Sequence, residues 1–183
     1  MALDLAALTL GPLVTTAKGA KQAPFTGAAA WAPPGYHDVV FEPKPYVEDA
    51  ARVNLVLRAG AGDLEAQLRA LDDWAVTAAA AASEQLFGKV MSKEQAAERY
   101  TPLLKDSDKY AATFRLKMNV AGKNAVRLWT PEALRRGAPE RWTQCSARPL
   151  IQLKGLWIMG RDFGVLAETS DVQLEERGAV CPF

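Results

Sequence analysis

The sequence predicts a mainly β chain: a small Greek-key barrel with one long helix and one short helix inserted between its strands. Three observations lead there. Residues 52–58, RVNLVLR, alternate apolar and polar side chains at the period of a half-buried strand. From Asp63 the apolar spacing becomes helical and stays so for more than twenty residues. Beyond about residue 110 the chain returns to strand-like runs broken by glycine.

Taken in order, the first fifty residues hold Pro24, Pro33, Pro34, Pro43 and Pro45, which exclude a long helix and leave short strands and loops. HDVVFEP predicts a short strand around Asp38 to Phe41. In RVNLVLR, Val53, Leu55 and Leu57 face one way, and AGAG ends the run. The long helix covers DLEAQLRALDDWAVTAAAAASEQLF, with Leu64, Leu68, Leu71, Ala75, Ala78 and Ala82 on one stripe, Asp63 as its cap and Gly88 as its stop. Trp74 is expected to pack this helix on the sheet, and Asp72 and Asp73 to lie on its surface. Ser92 and Gln95 form a capping-box pattern that opens the short helix through Tyr100, closed by Thr101-Pro102. ATFRLKMN, NAVRLW, TQCSARPLIQLKGLWIM and FGVLAETSDVQLEE then read as strands, with PEALRRGAPE as an inserted loop, and Trp157 and Phe163 as core residues. One domain is expected over residues 1–176, with the helical insertion at about 63–100 and a tail at 177–183.

With 183 residues, 49% of them hydrophobic, the chain can bury one sizeable core. No run approaches the ~18 apolar residues of a membrane span, and Asp4 stands where a secretory leader would be basic, so an intracellular, cytoplasmic protein is expected. Cys145 and Cys181 make no disulfide framework, and His37 as the only histidine leaves no zinc-type cluster, so neither metal nor cofactor is expected. Catalysis is also unexpected. Asp72 and Asp73 diverge by about 100° on a helix, His37 has no nucleophile nearby in sequence, and the glycines match no phosphate loop.

The net charge of +1 hides an asymmetry. Residues 105–161 carry about +8 and the remainder about −7, the pattern of a basic surface on an acidic protein. In FRLKMN, Phe114, Leu116 and Met118 point inward and Arg115, Lys117 and Asn119 outward. If NAVRLW pairs with it as a hairpin, Arg127 and Trp129 join the same outer surface. Cations beside a flat ring are what sequence-tolerant binding of single strands needs. A core tryptophan with its indole N–H satisfied is the competing reading of Trp129, since a one-residue slip swaps the faces. Tyr110 and Trp142 flank these strands as further stacking candidates. Arg135, Arg136 and Arg141 in the insertion, with Lys123, Arg148 and Lys154, complete the candidate nucleic-acid surface.

SKEQAAERYTPLLKDSDKYAATFRLKMN followed by PLIQLKGLWIMGRDFGVLAETSDVQLEE resembles phage and viral single-stranded DNA-binding proteins, over roughly Lys89 to Glu176 and more loosely at GAKQAPF. The resemblance implies an OB-fold, binding of DNA without sequence preference in replication, recombination or repair, and no catalytic activity. It also gives the terminal Pro182 and Phe183 a meaning, because in these families an aromatic tip behind an acidic run docks into replication and recombination partners. Here Glu175 and Glu176 are followed by RGAVC, a departure from the acidic run. A homodimer is compatible with the resemblance. The alternative from another class is a viral or assembly structural protein whose barrel binds other subunits, with Arg115, Lys117 and Arg127 held in ion pairs.

Overall fold

A computed structural model describes residues 3–17, 19–27, 30–44, 51–60 and 63–177. Five short strands, β1 (Thr9–Leu10), β2 (Val14–Thr15), β3 (Lys21–Thr26), β4 (Ala30–Trp31) and β5 (His37–Asp38), precede β6 (Arg52–Arg58). The helices α1 (Asp63–Ala81), α2 (Ser83–Phe87) and α3 (Lys93–Ala97) follow. Then come β7 (Tyr100–Thr101), β8 (Leu104–Lys105), β9 (Thr113–Asn119), β10 (Arg127–Trp129) and β11 (Arg135–Arg136). A 3-10 turn over Trp142–Gln144 leads into the long hairpin of β12 (Cys145–Met159) and β13 (Asp162–Glu176).

The registers close a ring. β5 pairs with β12 through Asp38 and Ser146, and just beyond it Val39 bridges Leu57 and the Val40 N–H donates to the Val56 carbonyl of β6. β6 pairs antiparallel with β9 over its whole length, β9 pairs parallel with β13 at Lys117 and Glu168, and β13 returns to β12. Numbered along the chain, these five strands meet in the order first, second, third, fifth, fourth and back to first. This is the five-stranded Greek-key barrel of the OB-fold, as the sequence predicts, with the helices inserted between its second and third strands.

Alternation explains which side faces in. Val53, Leu55 and Leu57 of β6 and Phe114, Leu116 and Met118 of β9 are buried, opposite Ile151 and Leu153 of β12. The helix α1 lays Leu64, Leu68, Leu71 and Ala75 on the same core. At ~1.5–3 kcal/mol for each fully buried large apolar side chain, this shared interior holds the helical insertion to the barrel. Trp74 sits edge-on to Phe25 of β3 at 5.2 Å, the packing role expected of it.

Several expectations are corrected. The long helix breaks at Ala82 into α1 and α2, with Gly88 ending α2 in the left-handed conformation. The capping box of Ser92 and Gln95 is present, but α3 stops at Ala97, and Tyr100-Thr101 leaves the helix to pair with β13. Asp72 is not a surface group. Its carboxylate accepts from the Tyr100 hydroxyl and from the Leu103 and Leu104 N–H groups, pinning α1 to the strands that follow. Burial raises its pKa despite those bonds, and burial together with Asp72 raises that of Tyr100. Phe163 is core as expected, whereas Trp157 is half-buried on the outer side and lies over Gly164, where any Cβ would strike its ring. Part of the PEALRRGAPE insertion is strand β11 rather than loop.

Candidate nucleic-acid interface

The hairpin expected between ATFRLKMN and NAVRLW is not formed. β9 and β10 instead lie end to end along one edge of β13, both parallel to it. Residues 120–125 loop out between them, and the Val126 N–H donates to the Asn119 carbonyl where the chain rejoins the edge. A parallel neighbour fifty residues later satisfies this edge, so no local turn is needed. Two outer regions result, one flanking β6 and β9 and one at β10.

The first is a groove of about 710 Å³. Its floor is the outward side of the β6–β9 pair: Asn54, Val56, Arg58, Thr113 and Arg115. One wall is Val40 to Lys44, entering from β5. The other is the β8–β9 connection with Lys105, Asp106 and Tyr110. Phe41 is 63% exposed and Tyr110 69% exposed, so one open ring stands on each wall of the groove.

Charges in this groove are treated unequally by the fold. Glu42 accepts from the Trp142 and Thr143 N–H groups at 3.0 and 2.9 Å and from the Thr143 hydroxyl at 2.8 Å. These bonds, the Thr143 N–H foremost, hold its carboxyl below the ordinary range. Asp106 is gripped by both terminal nitrogens of Arg69 from α1, at 3.1 and 2.6 Å, which lowers its pKa likewise. Two of the cations are left open. Arg115 and Lys105 make no ion pair among the described residues, and Arg58 reaches Asp38 only at 4.0 Å while that carboxylate also serves Ser146 and Arg177. Lys117 stands next along β9, its pKa lowered by burial first and by Arg52 and Arg115 after it. The result is an electropositive channel with two exposed rings.

The second region inverts this. Arg127 is paired with Asp171 at 2.6 Å and Arg136 with Glu176 at 2.5 Å, while Arg52 of β6 takes Glu168. Trp129 alternates outward from the buried Leu128 as predicted and is half-buried. Its indole N–H donates to Asp171 at 2.9 Å, and Arg135 lies 5.0 Å from its ring centroid. Burial pushes Asp171 up, but the bonds from Arg127, Trp129 and Ser170 together hold it below its usual value. Beside the indole is a depression of about 170 Å³ that Arg148 and Gln173 also line.

The other predicted site residues scatter. Trp142 is buried in the hydrophobic core at 9% exposure, so it is no stacking platform, and its backbone N–H instead helps hold Glu42. Arg141 is exposed just before that turn, Lys123 is exposed on the 120–125 loop, and Lys154 is exposed on β12 with its ammonium on Gln152. Pro182 and Phe183 lie outside the described residues. The sequence reading missed Phe41, Lys44, Arg58 and Lys105 as groove residues. A lone phenylalanine just past Val39-Val40, hemmed in by Pro43, was the available signal for the first.

No family model matches the chain, and no curated protein matches its sequence. Among solved structures its fold is similar to that of the single-stranded DNA-binding protein from bacteriophage Enc34 in complex with ssDNA. That likeness has a TM-score of 0.51 at 10% identity and covers 91% of this chain and 95% of that one. It is similar also to a C-terminal truncation of the same phage protein, with a TM-score of 0.52 at 12% identity over 95% of this chain and 98% of that one. At this identity the likeness establishes the fold.

Proposed function

We propose that the chain binds single-stranded DNA without sequence preference in the groove on β6 and β9, in the service of DNA replication, recombination or repair. The observation that carries this is the unequal treatment of charge: the groove's carboxylates are consumed by N–H groups and by Arg69, while Lys105 and Arg115 stay open between two exposed rings. Phosphates and π-faces are common to every nucleotide, so a site made of these parts tolerates any base. The second and third strands are also where OB-folds hold oligonucleotides, and the similar phage fold was solved with ssDNA.

The alternative of an assembly protein required Arg115, Lys117 and Arg127 in ion pairs. Arg127 meets that condition and Arg115, among the described residues, does not. Arg115, Lys117 and Tyr110 belong to the proposed contact surface, and Phe41, Arg58 and Lys105 join them. The terminal Pro182-Phe183 is proposed as a dock for replication or recombination proteins, so deleting it should leave oligonucleotide affinity unchanged.

The test is fluorescence anisotropy with a labelled oligo(dT) over a salt series. Affinity should fall on a log–log line whose slope is about −0.7 for each phosphate neutralised. No binding at low ionic strength would overturn the proposal.

A further inference from the structure

The depression at Trp129 is too far from the groove to belong to it. The registers place Arg115 near the Leu166 level of β13 and Trp129 opposite Gln173, so at ~3.3 Å per residue the two lie roughly 20 Å apart along the strand direction. The intervening surface is not closed to a polyanion, because Glu168 and Asp171 each already carry an arginine.

Trp129 is fixed in place but not covered. Asp171 fixes the ring by its N–H, Arg135 backs it, and yet the ring stays half-buried beside an open hollow lined by Pro149, Leu150 and the Asp171 carboxylate, whose charge Arg127 already meets. Arg148, exposed on β12 in register with Gln173, stands at the rim. A pre-set indole next to an apolar hollow of this size with a guanidinium at its edge suits one planar aromatic ring carrying a negative group. A single unpaired nucleotide has that chemistry: its base packs on Trp129 and its phosphate meets Arg148.

We infer that this hollow is a second, one-nucleotide subsite, so that a single strand engages the protein at two separated points, the groove and Trp129. The inference rests on the proposed function of the groove. Its signature is a dependence on length: an oligonucleotide too short to span both points gains nothing from the second, and one that spans them gains by effective concentration.

The experiment is anisotropy with labelled oligo(dT) from about four nucleotides to about twenty, using the wild type, Trp129→Ala and Arg148→Gln. Wild-type affinity should step up at a threshold length by between about 5- and 150-fold, the range of one stacked base. Both variants should bind short oligonucleotides normally and lose the step. Arg148→Gln guards against misfolding, since that side chain is exposed. Tryptophan emission should be quenched only above the threshold, and Trp129→Phe should remove that quenching while keeping most of the step. If both variants keep the wild-type step, or if the quenching survives in Trp129→Phe, the subsite is disproved. If no length binds at all, the groove's function has failed instead.

Discussion

The groove on β6 and β9 and the corner at β10 contain the same kinds of side chain and put them to opposite uses. In the groove, main-chain N–H groups and Arg69 absorb Glu42 and Asp106, and Lys105 and Arg115 stay available among the described residues. At the corner, β13 supplies a carboxylate to each of Arg127 and Arg136, and those two cations are spent. The difference teaches that a basic stretch of sequence is not yet a basic surface. What counts is whether a strand brought alongside by the fold carries acids at the facing positions, and β13 does so at Glu168, Asp171 and Glu176.

The largest expected effect comes from the groove's rings. Tyr110→Ala and Phe41→Ala should each weaken oligo(dT) binding by about 1–3 kcal/mol, the worth of one stacked base, read by anisotropy at fixed salt. Unchanged affinity in both would remove the groove from consideration. Next, Arg115→Gln should make the salt slope shallower by about 0.7, one phosphate contact on a single strand. Arg127→Gln should leave the slope as it is, because its charge is already met by Asp171; equal shifts in the two variants would erase the contrast between the regions.

The converse change sharpens it. Asp171→Asn keeps an acceptor for the Trp129 N–H but releases Arg127, so affinity at low salt should rise by about two- to five-fold and the gain should vanish at high salt. Smaller still, Arg69→Ala strips Asp106 of its partner and should weaken binding by about two-fold at low salt, as expected of an exposed pair. Adding Asp106→Asn should restore it.

The least effect concerns the barrel as a whole. Burial holds His37 below its ordinary value of 6.5, so the unfolded chain takes up a proton more readily than the folded one. Stability is therefore full above about pH 6.5 and declines as pH drops from there towards the depressed folded value. Urea midpoints measured from pH 7 to pH 5 should fall, and less so in His37→Gln.

Elements with a strong local period were legible in the sequence. RVNLVLR is β6, FRLKMN is within β9 with its faces assigned correctly, and Asp63 and Ser92 open helices. What could not be read was which strand lies beside which. The adjacency of NAVRLW to ATFRLKMN suggested a hairpin, but a parallel edge contributed by β13 accepts both segments in line, and pairing at such a distance leaves no trace in local spacing. For the same reason the acids that neutralise Arg127 and Arg136 were invisible from the basic window itself. One wall of the groove comes from the proline-rich stretch before β6, where irregular backbone has no period to decode. The charge asymmetry pointed to a basic surface, and the groove takes Lys105 and Arg115 from that window and Arg58 from outside it.

The detour of residues 120–125 carries a practical corollary. The polypeptide leaves the β13 edge at Asn119 and returns at Val126 on the same line, so extra residues or a reporter dye placed at the exposed Lys123 would not disturb any ladder. Such a label would sit between the two regions like a tollgate, registering the passage of a polymer from one to the other as it happens.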